Sequence, residues 1–479
     1  MKTLLLLFIC VVTAASTASA VTIDVSGDGT GDYLTIQEGV NAASNGDTVL
    51  VRVGTYTGAG NIEIDFNGTD CILMGQGGAL NVTIDCAGAG RAFYFSGAET
   101  AACIISGFTI TNGATTTCGG AMRFDGSSPT IQYCTITRNS ADFAGGGVCC
   151  ATSSSPAFIG CTFSNNSAPE GGGVDCSGAA SPSFESCTFL TNTATDLGGG
   201  VCLDGASAGF AACTFEGNGV TDGGSRGGGL GVIDGSTATL YDCLFEGNGA
   251  TAYGGALFIA SNISDVTATA VEFDGNSAEY GAAVAVTDEN GPLFDACRFV
   301  NNTAVHEGGA VHSTDGAVPE FDECVFDSNS AGDTGGAMHF YWFSTPVVTN
   351  CTLYGNAAPT GGGVWCDDNF TLDNCILAFN SMGGAVYCDG DPPYVTCTDI
   401  YGNNGGDWTG CLAGLDAVDN NLLEDPLFCA AGDGDFTIDV ASPCTAENAP
   451  ACGLIGAWDV GCDTPVQAQS WGAIKAMYR

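Results

Sequence analysis

The sequence predicts an all-β fold, a right-handed parallel β-helix solenoid of about 12 coils with an N-terminal cap helix and a C-terminal cap. Two motifs alternate along the chain, one ending in asparagine and one reading Gly-Gly-(Gly/Ala)-apolar, and each returns about every 27 residues. A period of this length is typical of solenoids, whereas propeller blades need about 40 residues. Glycine makes up 73 of 479 residues, which excludes a helical solenoid.

The first motif is exemplified by Cys161-Thr-Phe-Ser-Asn-Asn166. Its final asparagine recurs at Asn139, Asn166, Asn192, Asn218, Asn248, Asn276, Asn302, Asn329, Asn356 and Asn380, with looser copies at Asn112 and Asn403. Asparagine tolerates the left-handed conformation at a turn and can bond to its counterparts in the coils above and below. The motif therefore predicts an asparagine ladder along one corner of the solenoid.

The second motif sets the phase of the strand that follows it. The residue two positions after its final apolar residue is itself apolar in ten of eleven copies, so this row is predicted to face the core. Because side chains alternate along a strand, the rows one and three positions after the motif should face outward.

These outward rows supply the candidate site. The ligand-binding candidates are His312, His339, Tyr341, Trp365 and Tyr387. Aromatic rings beside carboxylates suit a sugar, which the rings stack on and the acids bind through hydroxyls. Asp367 and Asp389, one coil apart, are the catalytic candidates, since a retaining glycosidase needs two closely spaced carboxyl groups. Stacked aromatics on a sheet face are also explained by structural pairing alone.

Metal and cofactor binding receive little support. His312 and His339 could share a metal ion, but the sequence identifies no third ligand, and with 3 histidines in the chain a multi-histidine zinc site is not expected. Turns such as Asp389-Gly-Asp391 leave Ca²⁺ binding open, without the nine-residue repeat that would predict it firmly.

The charge excludes one class of partner. With 53 acidic and 9 basic residues, the net charge is −44, which argues against nucleic acid and anionic membranes. A soluble monomer that contacts a polysaccharide or a surface protein is expected, with no transmembrane segment after the leader is cleaved.

Residues 1–20 are predicted to be a signal peptide. Lys2 precedes an apolar stretch over residues 4–12, and Ala18-Ser19-Ala20 forms a small-residue cleavage site. The protein is therefore expected to be secreted or displayed at the cell surface, where disulfides form.

Twenty-five cysteines remain after residue 20, and several fall in pairs within one coil. These pairs, which predict disulfides across a coil, are Cys150/Cys161, Cys176/Cys187, Cys202/Cys213, Cys366/Cys375 and Cys388/Cys397. Four others have no such partner and are expected to stack inward as small apolar residues: Cys243, Cys297, Cys324 and Cys351.

Three resemblances to known families extend this interpretation. Over about residues 103–403, the pairing of Phe-x-x-Asn with Gly-Gly-Ala-apolar resembles the passenger repeats of polymorphic outer-membrane proteins, which implies a surface adhesin. The stretch Asp28-Gly-Thr-Gly-Asp-Tyr-Leu-Thr-Ile-Gln-Glu38 is similar to the opening of pectin-lyase-like β-helix proteins, including pectin esterases, and implies a cap helix at 35–43. Asp425-Pro-Leu-Phe428 and Ile455-Gly-Ala-Trp-Asp459 resemble the closing segment of exported β-helix proteins.

The predicted organisation is a signal peptide (1–20), an N-terminal cap with the first coils (21–102), a repeat core (103–411), a C-terminal cap (412–463) and a tail (464–479). Adhesion or carbohydrate binding without catalysis is the favoured function, because regular coil lengths favour a flat face over a cleft. A polysaccharide hydrolase or lyase is the alternative. Arg123 beside Asp125 is the only basic residue on the outward rows of the second motif, and of the polygalacturonase motifs only an Asp367-Asp368 pair is present.

Overall fold

The computed structural model describes residues 20–261, 263–416 and 418–462. Residues 1–19 of the predicted signal peptide and the tail at 464–479 lie outside the described residues. The described chain winds as a parallel β-solenoid of about 14 turns, which confirms the predicted fold class. The count exceeds 12 because residues 21–102 form full coils that lack both repeat motifs.

Three long parallel sheets form the walls of the solenoid, and we name them A, B and C in the order in which each coil visits them. Sheet A has 15 strands: Thr22–Val25, Thr48–Val51, Ile72–Gly75, Ile104–Ser106, Thr130–Gln132, Ala157–Ile159, Ser183–Glu185, Ser207–Ala211, Thr237–Tyr241, Asp265–Thr269, Leu293–Asp295, Glu320–Asp322, Val347–Thr349, Thr371–Asp373 and Tyr394–Thr396.

Sheet B has 14 strands: Gly54–Thr57, Val82–Asp85, Thr109–Thr111, Thr135–Thr137, Thr162–Ser164, Thr188–Leu190, Thr214–Glu216, Leu244–Glu246, Glu272–Asp274, Arg298–Val300, Val325–Asp327, Thr352–Tyr354, Ile376–Ala378 and Asp399–Tyr401. Sheet C has 12 strands: Phe93–Phe95, Met122–Asp125, Val148–Ala151, Val174–Ser177, Val201–Asp204, Leu230–Ile233, Leu257–Ile259, Val284–Val286, Val311–Ser313, Met338–Phe340, Val364–Cys366 and Val386–Cys388.

Short strands lie between sheets B and C in many coils and form a fourth, discontinuous wall, which we call the bridging strands. They are Ala114–Thr115, Ser140–Ala141, Ser167–Glu170, Thr193–Leu197, Gly219–Val220, Ser277–Tyr280, Thr303–Glu307 and Ser330–Ala331. The remaining elements are an antiparallel pair, Phe428–Ala430 and Asp435–Ile438, two 3₁₀ turns, Gly410–Leu412 and Ala431–Asp433, and the α-helix Ile36–Ala42.

The helix begins where the sequence resemblance places it. Thr35 is its N-cap, and the Thr35 and Glu38 side chains form a reciprocal capping box with the backbone. Ile36 and Val40 are buried. That the helix seals the end of the core stays a prediction.

The asparagine ladder is present at the corner between sheet B and the bridging strands. Asn166, for example, donates from Nδ2 to Oδ1 of Asn192 at 3.0 Å and to the backbone carbonyl of Ile136 at 2.9 Å. The ladder runs without interruption from Asn139 to Asn403. The left-handed conformation lies one residue earlier, at Asn165 for instance, with φ 55°.

Asn112 is therefore wrongly assigned to the ladder. It adopts φ 57° and corresponds to the residue before the ladder position, which Gly113 occupies. Gly113 still donates its backbone N–H to Oδ1 of Asn139 at 2.8 Å, so this coil is hydrogen-bonded to the ladder although it contributes no asparagine side chain.

The second motif turns the chain into sheet C. Gly145 has φ 60°, and a Cβ there would lie 2.2 Å from the carbonyl oxygen of Val148, so only glycine fits. The row two positions after this motif is buried in ten of its eleven copies, in agreement with the prediction, and Cys388 is half-buried. Sheets A and B fill the core with stacked phenylalanines, such as Phe163 and Phe189, whose ring centroids lie 4.9 Å apart.

The predicted disulfides across a coil are wrong. The first cysteine of each pair lies on a strand of sheet C, whereas the second lies at the turn between sheets A and B. The structure instead has Cys118–Cys149, Cys388–Cys411, Cys397–Cys452 and Cys429–Cys462. Three of these four bonds tie the C-terminal segment to itself and to the last coils. The unpaired Cys243, Cys297, Cys324 and Cys351 are buried, as expected.

The C-terminal residues pack against the solenoid in two places. Leu412 is buried in the main core, and Trp408 and Leu415 pack against that core beyond the last coil. The segment from Phe428 onward instead folds back over the outer face of sheet B, where Ile455 packs with Ile376. No helix among the described residues is both long enough and apolar enough to span a bilayer.

Candidate functional site

The strand register of sheet C brings most of the predicted ligand-binding residues together. His312 pairs with His339, His339 with Trp365, and Trp365 with Tyr387 in successive strands. The ring centroids of His312 and His339 lie 5.1 Å apart, and those of His339 and Trp365 lie 4.3 Å apart, both stacked. The sequence therefore located a real side-chain column.

The expectation that this whole column lies on an open face is wrong. His312 and His339 are only 4% and 2% exposed. Side chains of the bridging strands and the turns beside them lean over the outer surface of sheet C, so that Tyr280 lies 5.6 Å from the His312 ring and Tyr253 lies 6.0 Å from it. The row points away from the core, but a second apolar layer covers it.

Burial also determines the charge of the two imidazoles. Desolvation lowers the pKa of His312 to about 4. Desolvation, with a smaller contribution from His312, lowers the pKa of His339 to about 2. Both rings are therefore neutral at physiological pH.

Glu307 lies beside both histidines, and the sequence analysis did not include it among the candidate residues. Its Oε2 lies 3.7 Å from Nδ1 of His312 and 3.5 Å from Nδ1 of His339, while the two Nδ1 atoms lie 3.2 Å apart. Of all described residues, these three form the one group in which three potential metal-ligating atoms lie within 4.8 Å of one another. Its position in the repeat could have indicated this location, because Glu307 directly precedes a Gly-Gly motif. The residues at the same position in other coils also lie over sheet C: Leu197, Tyr253 and Tyr280.

Further along the solenoid the covering layer ends and aromatic rings reach solvent. We define the aromatic patch by its five members: Tyr341, Trp342, Phe343, Trp365 and Tyr387. Tyr341, Trp342, Phe343 and Tyr387 are 44%, 57%, 68% and 43% exposed, and Trp365 is half-buried. The ring of Tyr341 lies 6.2 Å from both Trp342 and Trp365, so these three rings adjoin one another. Tyr387 pairs with Trp365 in the strand register, and Phe343 follows Trp342 in the turn. Sequence phase identified three of its members and missed the two in the turn.

The turn that carries Trp342 and Phe343 has an unusual backbone for aromatic residues. Both residues are left-handed, with φ 54° and 65°. Five other described coils place two left-handed residues at this turn, and these are small or polar: Thr152 and Ser153, Gly178 and Ala179, Asp234 and Gly235, Asp288 and Glu289, and Asp315 and Gly316. A bulky side chain is costly in this region of conformational space, so the aromatic pair is not explained by the turn itself.

Two consecutive carboxylates of the next coil hold this turn. Oδ2 of Asp367 accepts the backbone N–H of Trp342 at 3.0 Å, and Oδ2 of Asp368 accepts that of Phe343 at 3.1 Å. The predicted catalytic residue Asp367 thus has a structural contact. Its other oxygen, Oδ1, is buried and has no hydrogen-bond partner, and burial, more than the nearby charges of Asp368 and Asp389, raises its pKa.

Asp389, the second catalytic candidate, is exposed one coil further on. A groove of about 380 Å³ begins beside it, lined in part by Tyr387, Thr360, Thr409 and the Cys388–Cys411 disulfide. A groove of this size falls within the range of small-ligand pockets. A catalytic role for the Asp367 and Asp389 pair stays a prediction.

Arg123, the basic residue considered for lyase chemistry, is paired. It donates from Nε to Asp125 at 2.9 Å, and Asp125 also accepts the hydroxyl of Tyr94 at 3.0 Å. This is a surface ion pair at the opposite end of sheet C from the aromatic patch.

Comparisons with known proteins agree with the architecture. A family model described as "right handed beta helix region" matches residues 48–208, 172–337 and 255–422. Among solved structures, pectate lyase Pel9A matches with 13% identity and a TM-score of 0.30, over 93% of this chain and 97% of that chain. Pectin methylesterase from carrot matches with 11% identity and a TM-score of 0.20, over 87% and 91%.

A search of curated proteins gives no significant match. The two structural likenesses are too distant to carry an argument about activity. The family model, in contrast, matches most of the chain, and its matched segments coincide with the stacked coils seen in the structure. The chain therefore belongs to the right-handed β-helix family.

Proposed function

We propose that this protein is an exported β-helix protein that binds a neutral polysaccharide through the aromatic patch, without catalysing a reaction. Four disulfides are consistent with an oxidising, extracellular compartment, in agreement with the predicted signal peptide. The observation that carries the proposal is the turn at Trp342 and Phe343, which exposes two large aromatic rings.

Exposure of these rings is unfavourable for the isolated protein. The rings lie in solvent rather than in the core, and their backbone occupies a conformation that favours glycine. Strained backbone and contiguous exposed apolar surface both concentrate at binding sites. The carboxylates of Asp367 and Asp368 keep the turn in this conformation, so the aromatic surface is preorganised.

Charge and shape favour a neutral polymer as the ligand. A chain of net charge −44 repels nucleic acid and acidic glycans. Flat aromatic rings stack on the faces of sugar rings, and the exposed carboxylate of Asp389 beside Tyr387 can accept sugar hydroxyls. Successive coils are spaced by about 4.8 Å, so the patch continues along the solenoid axis as an extended surface rather than a deep cleft.

The experiment is a glycan array followed by pull-down on insoluble neutral polysaccharides. We expect Trp342→Ala with Phe343→Ala to weaken binding at least about 10-fold, because aromatic side chains that a ligand buries usually dominate the binding free energy. Phe143→Ala is the matched control, since Phe143 is also 68% exposed but lies far outside the patch. Equal loss in the control, or unchanged binding in the double variant, would contradict the proposal.

One observation favours the alternative, a polysaccharide hydrolase. The half-buried carboxyl of Asp367 has a raised pKa and an unpaired buried oxygen, as a general acid requires. If the protein releases reducing ends from a polysaccharide, and Asp367→Asn and Asp389→Asn each abolish that release, the hydrolase reading replaces the binding one.

A further inference from the structure

We infer that Glu307, His312 and His339 form a binding site for a divalent transition metal ion of the Zn²⁺ type. The three residues belong to three strands: Glu307 ends a bridging strand, and the histidines occupy equivalent positions in two adjacent strands of sheet C. The site lies under the covering layer, away from the exposed turn of the aromatic patch.

The separations of the three ligand atoms match a tetrahedral site. Zn²⁺ bound to nitrogen and oxygen at about 2.0–2.1 Å places its ligand atoms about 3.3–3.4 Å apart. Here the separations are 3.2 Å between the two Nδ1 atoms and 3.5 and 3.7 Å from these atoms to Oε2 of Glu307. All three values fall within about 0.4 Å of the tetrahedral edge.

Hydrogen bonding alone does not account for this arrangement. At 3.5 and 3.7 Å, the carboxylate oxygen is too far from either ring for a hydrogen bond. One proton can lie between the two Nδ1 atoms, but it leaves Glu307 without a donor among the described side chains. An ion placed between the three atoms satisfies all of them at once.

The ligand set favours a borderline metal. Two imidazoles and one carboxylate suit Zn²⁺ and its neighbours, whereas Ca²⁺ and Mg²⁺ prefer oxygen ligands throughout. Three protein ligands leave a fourth position for water or a ligand oxygen. The Glu307 side chain is 32% exposed and provides the site with a route to solvent.

The surrounding rings contact the two histidines at different angles. His339 is stacked on Trp365 with centroids 4.3 Å apart, whereas His312 contacts Tyr253 and Tyr280 at tilted angles. Because the two imidazole planes are within 5° of parallel, we expect the His312 ring to rotate when the ion binds. The contact between His339 and Trp365 should make indole fluorescence respond to the metal.

The test is calorimetric titration of the mature protein with Zn²⁺ in the presence of millimolar Mg²⁺, which occupies weak sites on the acidic surface. We expect one tight site, and Co²⁺ in its place should show the intense visible absorption of four-coordinate Co²⁺. His339→Ala should weaken Zn²⁺ binding at least about 100-fold, more than the loss of an outer-shell partner does. Glu307→Gln, which keeps the shape of the side chain, should weaken it less.

His306→Ala is the matched control. This histidine is one residue from Glu307, but it is exposed and pairs with Asp333 at 2.8 Å outside the cluster. Its removal should leave the tight site unchanged. All variants retain every cysteine, so Zn²⁺ that remains bound to His339→Ala would assign the metal to thiols and overturn the inference. Absence of the Co²⁺ spectrum in the wild-type protein would also overturn it, whatever the variants do.

The metal site and the polysaccharide proposal fail independently. Trp342→Ala with Phe343→Ala should weaken polysaccharide binding at least about 10-fold and leave Zn²⁺ affinity unchanged. The converse result, loss of Zn²⁺ in that double variant, would place the ion elsewhere and contradict the site described here.

Discussion

The carboxylate of Asp367 accepts the backbone N–H of Trp342 at 3.0 Å, across two adjacent coils. An acid in one coil thereby holds the exposed aromatic turn of the coil before it. The contact assigns Asp367 a positioning role. The sequence could not indicate this role, because a carboxylate beside aromatic residues can equally bind a sugar, a proton or a backbone amide.

Two substitutions separate positioning from catalysis. Asp367→Asn keeps an oxygen that can accept the Trp342 amide, so polysaccharide binding should fall by less than about 3-fold, whereas Asp367→Ala should weaken it markedly and cost about 1–2 kcal/mol of stability. Binding assays and denaturant unfolding measure the two effects. A catalytic carboxyl would show a different pattern, with asparagine and alanine equally inactive.

The asparagine ladder should contribute strongly to stability at interior positions. Asn276→Ala removes the Nδ2 bonds to Phe245 and Asn302 and the acceptor for two bonds from Asn248, all of them buried. Unsatisfied buried groups are costly, so we expect a loss of roughly 3–5 kcal/mol in the free energy of unfolding.

Asn112→Ala is the comparison for the ladder variant. Asn112 has φ 57° and one exposed bond, to Asp85. Alanine there should cost only about 1 kcal/mol, chiefly from its left-handed backbone. If denaturant unfolding gave equal losses for both variants, the ladder would have no special energetic role.

The sequence predicts the solenoid well because its periodic residues act locally. The ladder asparagines and the turn glycines each satisfy a requirement of one corner of the coil, such as the 2.2 Å clearance at Gly145, and that requirement recurs in every coil. Strand phase follows from alternation, which is why the column of His312, His339 and Trp365 was found. Residues 21–102 were predicted to hold a cap and the first coils, but the number of coils there was underestimated because both repeat motifs are missing.

The candidate site was only partly predictable because its key contacts join different corners of the coil. Glu307 reaches the histidines only because a bridging strand folds over sheet C. The alternation of side chains within one strand does not indicate which other strand covers it. The disulfides failed for a related reason. Cys150 and Cys161 are close in sequence, yet Cys150 faces the core from sheet C and Cys161 lies at the corner between sheets A and B.

The thiols provide a direct check of this cysteine arrangement. Seventeen described cysteines are unpaired and buried, and burial raises the pKa of thiols such as Cys366 to about 12. The native protein should therefore resist alkylation, and the denatured, unreduced mature chain should label 17 cysteines. Peptide mapping by mass spectrometry would locate the labelled cysteines. If Cys150 and Cys161 were both unlabelled, the predicted disulfide between them would be supported instead.

Buried acids should make stability depend on pH. Asp175 lies on sheet C, where burial, reinforced by Glu170 and Asp204 and opposed by a bond from Ser177, raises its pKa from 3.8 to about 7. The folded protein therefore keeps a proton that the unfolded chain releases near pH 4. The stabilisation of the folded state by this bound proton is fully present below pH 4. It is lost as the pH rises through about 7, at about 1.4 kcal/mol per pH unit.

Asp175→Asn should remove that dependence, because its amide stays neutral at every pH. We expect the variant to match the wild-type protein near pH 4 and to exceed its stability by about 3–4 kcal/mol at pH 8, measured as the thermal midpoint across this range. Part of the slope should remain, since burial also raises the pKa of Asp399 to about 7. Asp196→Asn, at an exposed position in the adjacent coil, is the control. An equal gain in Asp196→Asn would attribute the slope to overall charge repulsion rather than to the buried carboxyl.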